Sequence, residues 1–259
     1  MKLRSLAYSN LRTKQSSFTY NKKPFFFAYI SKYLSVKTVL QVVNPFISVI
    51  AIVFCFAPFL LLWLKKLNQE KAYLFIAIYW LVNGIINLPE CFGQSQNAAL
   101  LNQITLAYNL LDTPLVLLVF YFAATGTKKR ILLYLLALFI LFECGIVAWK
   151  GHNFDSSTII IGVGGLLCLI FSSWGIVEYF QKIEHNSFEN AMGFIYAGFI
   201  FNYGLSIVIY IFNYLNFKKE TIDSNLFIYY LSVISATVLT SVGLWKYARP
   251  NFDKPSSYK

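Results

Sequence analysis

Seven stretches of this chain are each long and apolar enough to cross a membrane, at about 46–64, 72–92, 98–124, 131–149, 157–180, 191–215 and 225–247. A helix rising 1.5 Å per residue needs about 20 apolar residues to cross the hydrocarbon core. Inside lipid the backbone has no water to bond, so these continuous runs are expected to be helices. A membrane β-barrel would show shorter segments of alternating character. The expected fold is all-α, a polytopic seven-transmembrane-helix bundle. Only 13% of the 259 residues are charged and 58% are hydrophobic, against a charged share of roughly 25% in soluble domains.

The net charge of +11 raises the question of nucleic acid, and the placement of the charges answers it. Lys and Arg lie in the leader, the loops and the span ends, where they set orientation and meet anionic head groups. The expected partner is therefore the lipid bilayer and not nucleic acid. After the first span, one set of connections (Lys65, Lys66, Lys71; Lys128, Lys129, Arg130; Lys182; and Lys246 onward) holds eleven basic residues and the other holds three. Lys32 and Lys37, near the first span, bring the smaller set to five. The positive-inside rule then predicts an outside N-terminus and an inside C-terminus. Residues 1–44 read as a basic leader whose later part, Pro24 to Val43, has the pattern of an interfacial amphipathic helix. Residues 45–248 form the seven-helix domain and 249–259 a short cytoplasmic tail. The compactness of the chain points to a bacterial cytoplasmic membrane.

Four carboxylates fall within spans: Glu90, Asp112, Glu143 and Glu178. Ionisable residues at membrane depth are costly, so they face a bundle interior or a wet cavity and mark function. Asp112 is the deepest. Spacing extends it into a pattern. Trp80, Asn83, Asn87 and Glu90 share one face of span two, and Asn102, Thr105, Asn109 and Asp112 share one face of span three. The five-residue link 93–97 makes these spans antiparallel neighbours. If the two stripes face each other, they line one polar cavity running from the outer face to mid-membrane. Asn202, Ser206, Tyr210 and Asn213 of span six offer a third wall. A single buried Asn is explained by hydrogen-bonded helix packing; a carboxylate at mid-depth is not. Gly162, Gly164 and Gly165 read as a close-packing surface between helices.

Other chemistry is missing. His152 and His185 lie in loops, so no zinc-hydrolase ligand set is expected. One central Asp does not make an aspartyl-protease pair. The sequence shows no nucleophile elbow, phosphate loop or dinucleotide fingerprint. Cys55, Cys91, Cys144 and Cys168 read as apolar packing residues. No metal or cofactor is expected; the sequence names no catalytic group, and a membrane-embedded enzyme would have to use Glu143 or Asp112 as an acid.

The run Asp112-Thr113-Pro114-Leu115-Val116-Leu117-Leu118 resembles the third-helix Thr-Pro-Leu-Leu-Leu-Leu signature of the microbial rhodopsins. Ser235-Ala236-Thr237-Val238 through Lys246 is similar to their last helix. The resemblance implies seven helices with the N-terminus out and the C-terminus in. It does not imply a retinal pigment: the position of the Schiff-base lysine holds Thr237, and the counterion position falls at Tyr108, with Asp112 one turn further on.

Together these readings give a receptor-like or transport-like bundle with an outward polar cavity for a small ligand, a cation or a proton. Its expected lining is Asp112, Asn109, Thr105, Asn102, Glu90, Asn87, Asn83, Trp80 and Asn202. Two alternatives stand beside it: a membrane-embedded enzyme acting on a lipid or isoprenoid, and a non-catalytic accessory subunit. About a dozen residues follow the last span, so a sensor would need a separate signalling partner.

Overall fold

A computed structural model describes residues 36–91, 98–215 and 222–248; the side chains of 36–42, 90–91, 98–102, 212–215 and 222–225 lie outside that description. Seven helices make up the described chain, with no strand among the described residues: α1 (Val36–Leu64), α2 (Lys71–Cys91), α3 (Ala98–Ala123), α4 (Gly126–Lys150), α5 (Phe154–Gln181), α6 (Ser187–Leu215) and α7 (Ile222–Lys246). Each is long and apolar enough to cross a membrane. Two compact units divide the chain, Met1–Val39 and Leu40–Lys259, and the described residues fall almost wholly in the second.

Helix boundaries differ from the apolar windows for local reasons. Helix α4 begins at Gly126 and not near 131, so Lys128, Lys129 and Arg130 form its opening turn. Long straight-chain cations are good helix formers and extend a helix beyond its apolar part. Helix α5 begins at Phe154 because Asn153 caps it: its side chain accepts from the Ser156 backbone N–H, and the Ser156 hydroxyl accepts in turn from the Asn153 backbone N–H. That reciprocal arrangement satisfies two otherwise orphaned donors. Residues 36–43, expected to end a separate interfacial helix, run without a break into the first span despite Pro45. Residues 24–35 lie outside the described residues.

Helix α3 packs against α2, α4 and α5, while α6 packs against α5 and, most extensively, α7. Small residues set the closest approaches. A Cβ added at Gly198 of α6 would come within 2.9 Å of the Ala236 carbonyl oxygen, and one at Gly243 of α7 within 2.9 Å of the Ala191 carbonyl oxygen. Backbone approach of this kind drives helix association in lipid, where apolar burial supplies no net force. Lys65, in the turn after α1, donates to the carbonyls of Leu244 (3.3 Å), Trp245 and Ala248 (3.4 Å) at the end of α7. A cation there satisfies carbonyls that have no helical donor and complements the helix dipole. Large apolar side chains such as Trp63, Tyr134, Phe180 and Trp149 are exposed on the outer faces of the helices, as expected of surfaces turned toward lipid.

Candidate functional site

Asp112 lies mid-way along α3, the helix with neighbours on three sides, and its carboxylate turns inward. Tyr203 of α6 donates its hydroxyl to Oδ2 at 2.9 Å, and Tyr108, one turn before Asp112, donates to Oδ1 at 3.2 Å. The network continues across the bundle. The Tyr79 hydroxyl of α2 sits 3.3 Å from that of Tyr203, Asn202 donates to Tyr79 at 3.3 Å, and Ser232 of α7 donates to Asn202 Oδ1 at 3.4 Å. Four helices thus contribute to one polar chain centred on one carboxylate.

Beside this chain is a cavity of about 160 Å³, room for about five waters at 30 Å³ each. Five tyrosines line it (Tyr79, Tyr108, Tyr203, Tyr210 and Tyr229) together with Asn83, Asn109, Asp112, Asn202 and Ser206. No Lys or Arg is among the described residues lining it. Its floor on α5 is Gly162 and Gly165, where added Cβ atoms would meet Tyr210 at 3.1 Å and Tyr203 at 3.7 Å. The glycines therefore make the space the tyrosines border. Along α5, α6 and α7 the lining residues lie toward the end of the bundle that carries links 151–153 and 216–221.

The residues expected at this site are distributed unevenly. Asp112, Asn109, Asn83 and Asn202 line the cavity. Asn109 also donates to Ser157 of α5 at 2.7 Å, so it turns toward α5 and not across to α2. Asn87 folds back along its own helix, donating to the Asn83 backbone carbonyl (2.9 Å) and side-chain oxygen (2.8 Å), and does not line the cavity. Trp80 is fully buried beneath it, stacked on Phe199 at 6.5 Å, with no hydrogen-bond partner for Nε1 among the described residues. Thr105 is exposed. The side chains of Asn102, Glu90 and Asn213 lie outside the described residues. Two facing stripes on α2 and α3 are thus replaced by a ring of five helices. The physical reason is that α3 also packs on α5, which draws Asn109 round, while the bulk of Tyr79 takes the α2 position opposite Asp112.

Of the five tyrosines only Tyr210, named with Asn202 and Ser206 as a third wall, was expected here, and all three line the cavity; the other four were not read as lining. One signal was available: Tyr108 precedes Asp112, and Tyr79 precedes Asn83, by one helical turn. Of the remaining carboxylates, Glu143 is buried with Oε1 lacking a partner among the described residues. Glu178 pairs with Lys128. No group of three or more His, Cys, Asp or Glu among the described residues could hold a metal ion.

A second and larger cavity, about 580 Å³, lies at the other end of the same helices. Its wall is aromatic (Phe120, Phe171, Trp174 and Tyr196) and its rim carries two ion pairs, Lys128–Glu178 and Lys182–Glu189. Lys128 also sits 5.1 Å from the Trp174 ring.

Comparison of the chain with protein-family models, curated proteins and solved structures finds no match. The functional argument therefore rests on the geometry of the site.

Proposed function

We propose that this protein is a membrane-embedded binder of a small organic cation, receptor-like or transport-like, with Asp112 as the charge that holds the ligand. The observation that carries the reading is one carboxylate beside a cavity lined by five tyrosines and, among the described residues, no basic side chain. If Asp112 served only to tie α3 to α6, an Asn or Gln would accept the same tyrosine hydroxyls without the cost of a charge in hydrocarbon. Aromatic walls attract cations through the negative faces of their rings, most strongly where water is scarce. The small volume restricts the ligand to something near the size of a methylated ammonium ion. On the positive-inside assignment, the cavity opens toward the outside, and the membrane is a bacterial cytoplasmic one.

A second reading, that the ligand is a proton, is favoured by the two hydroxyls, Tyr203 and Tyr79, that lead away from Asp112. Titrating the purified protein with tetramethylammonium tests the first reading directly. Saturable binding, followed by calorimetry and lost in Asp112→Asn, is expected. A protein that binds no tetramethylammonium, or whose Asp112→Asn variant binds it equally well, refutes the proposal.

A further inference from the structure

The two cavities lie on one seam, between α3, α5 and α6. Along α6 the residues at successive turns are Tyr196, Phe199 and Tyr203. Tyr196 lines the larger cavity and Tyr203 the Asp112 cavity. Two helical turns separate them, about 10 Å. On α3 the same step runs from Phe120 to Asp112, about 12 Å, and on α5 from Phe171 to Gly165, about 9 Å. Three helices therefore give a similar spacing between the cavities, about 9–12 Å.

Phe199 occupies the gap. Its ring is 5.5 Å from Phe120, which lines one cavity, and 5.5 Å from Tyr79 and 6.0 Å from Tyr203, which line the other. It is 1% exposed. Among the described residues, no other ring contacts lining residues of both cavities.

Helix α5 faces this aromatic series with small residues. Added Cβ atoms would meet Tyr196 from Gly175 at 2.7 Å, Tyr203 from Gly165 at 3.7 Å, and Tyr210 from Gly162 at 3.1 Å. Between these levels α5 places Cys168 and Ser172, both fully buried. The seam is thus filled by α6 rings lying over α5 positions that have little or no side chain.

We infer that the two cavities are the vestibules of one route for the cation across the bundle, and that Phe199 is its barrier. The inference rests on the cation reading of Asp112 and selects transport over sensing within it. A ring closing an apolar constriction holds back hydrated ions by excluding water. Asp112 draws the cation to one side of that ring, and the rim of the larger cavity receives it on the other.

The test uses the full chain in liposomes with radiolabelled tetramethylammonium, a permanent cation that cannot cross the bilayer as a neutral base. Binding to the same preparations is measured in parallel. Wild type should show saturable uptake above protein-free vesicles. Phe199→Ala should raise the uptake rate by about tenfold or more, Phe199→Trp should lower it, and Asp112→Asn should remove it. Should Phe199→Ala fail to give a monodisperse protein, Phe199→Leu carries the same expectation with a smaller rise. Binding that depends on Asp112, with no uptake above vesicles in wild type or any folded Phe199 variant, overturns the route and leaves a receptor. Uptake that persists in Asp112→Asn overturns it too, since the leak then bypasses the site. Absence of both binding and uptake overturns the cation reading itself.

Discussion

Asp112→Asn separates a charge kept for a ligand from a polar group kept for packing, because the two roles move stability and affinity in opposite directions. The substitution preserves shape. The Asn carbonyl can accept from one tyrosine, and its amide can donate to the hydroxyl oxygen of the other, so the bonds now made to Tyr203 at 2.9 Å and Tyr108 at 3.2 Å both have replacements. What is lost is the charge. An aspartate at a helix centre costs about 2.5–3.5 kcal/mol on insertion scales, so its removal should leave thermal stability unchanged or raise it. A cation about 4 Å from the carboxylate gains about 4 kcal/mol at an effective dielectric of 20. The tyrosine hydroxyls already bonded to the carboxylate reduce that figure, and a loss of about 2–3 kcal/mol corresponds to a fall in affinity of about thirty- to a hundred-fold or more. Calorimetric titration with tetramethylammonium and thermal unfolding followed by tryptophan fluorescence read both quantities on one preparation. A variant that unfolds several degrees lower yet binds the cation with unchanged affinity would show that Asp112 is a structural pin.

Other expectations follow from single contacts. Gly164→Ala would put a Cβ 2.0 Å from Thr113 Oγ1 and 3.1 Å from Phe139 Cζ; overpacking of this kind costs about 1–3 kcal/mol, read as a lower unfolding temperature that Thr113→Ala partly restores. A double-mutant cycle on Asn109 and Ser157, bonded at 2.7 Å, should give a coupling of about 0.6–2 kcal/mol in unfolding free energy. Lys65→Met should cost about 0.3–1 kcal/mol by removing the cation at the end of α7, again measured by unfolding. Glu178→Gln leaves Lys128 without its ion-pair partner at the rim of the larger cavity, and should slow tetramethylammonium uptake while leaving its affinity at Asp112 unchanged.

The helices and their number were legible because membrane crossing demands a long apolar run, and nothing else in the chain produces one. The inward position of Asp112 was legible for the same reason, since a carboxylate in an apolar run stands out against its surroundings. Its partners were not. Spacing along one helix reports which residues share a face, but not which neighbouring helix that face meets. Asn87 and Asn109 have equivalent places in their stripes, yet one closes on its own helix at Asn83 and the other bonds α5. The choice depends on helix rotation, which small residues set: Gly164 lets α5 close on Thr113, and so brings Ser157 within reach of Asn109. Tyrosine carried little signal because the chain has 18 of them. The residue at the Schiff-base position of the rhodopsin-like pattern, Thr237, is fully buried and donates to the Val233 carbonyl at 2.8 Å. It is occupied with its own helix and not turned into a ligand site.

The charge distribution gives the proposed route a direction. A cation nearing Asp112 through the smaller cavity meets tyrosine and amide groups and no described basic side chain on its walls. At the other end the sequence concentrates Lys65, Lys66, Lys71, Lys128, Lys129, Arg130 and Lys182, a field that would repel the same ion. The rim of the larger cavity is spared that field because its two lysines are each matched by a glutamate, Glu178 for Lys128 and Glu189 for Lys182. Exposed ion pairs add little to stability, so folding energy is a weak reason for pairing both lysines at this one opening. Neutralising the mouth of a cation route is a reason that fits both pairs and the cavity they border.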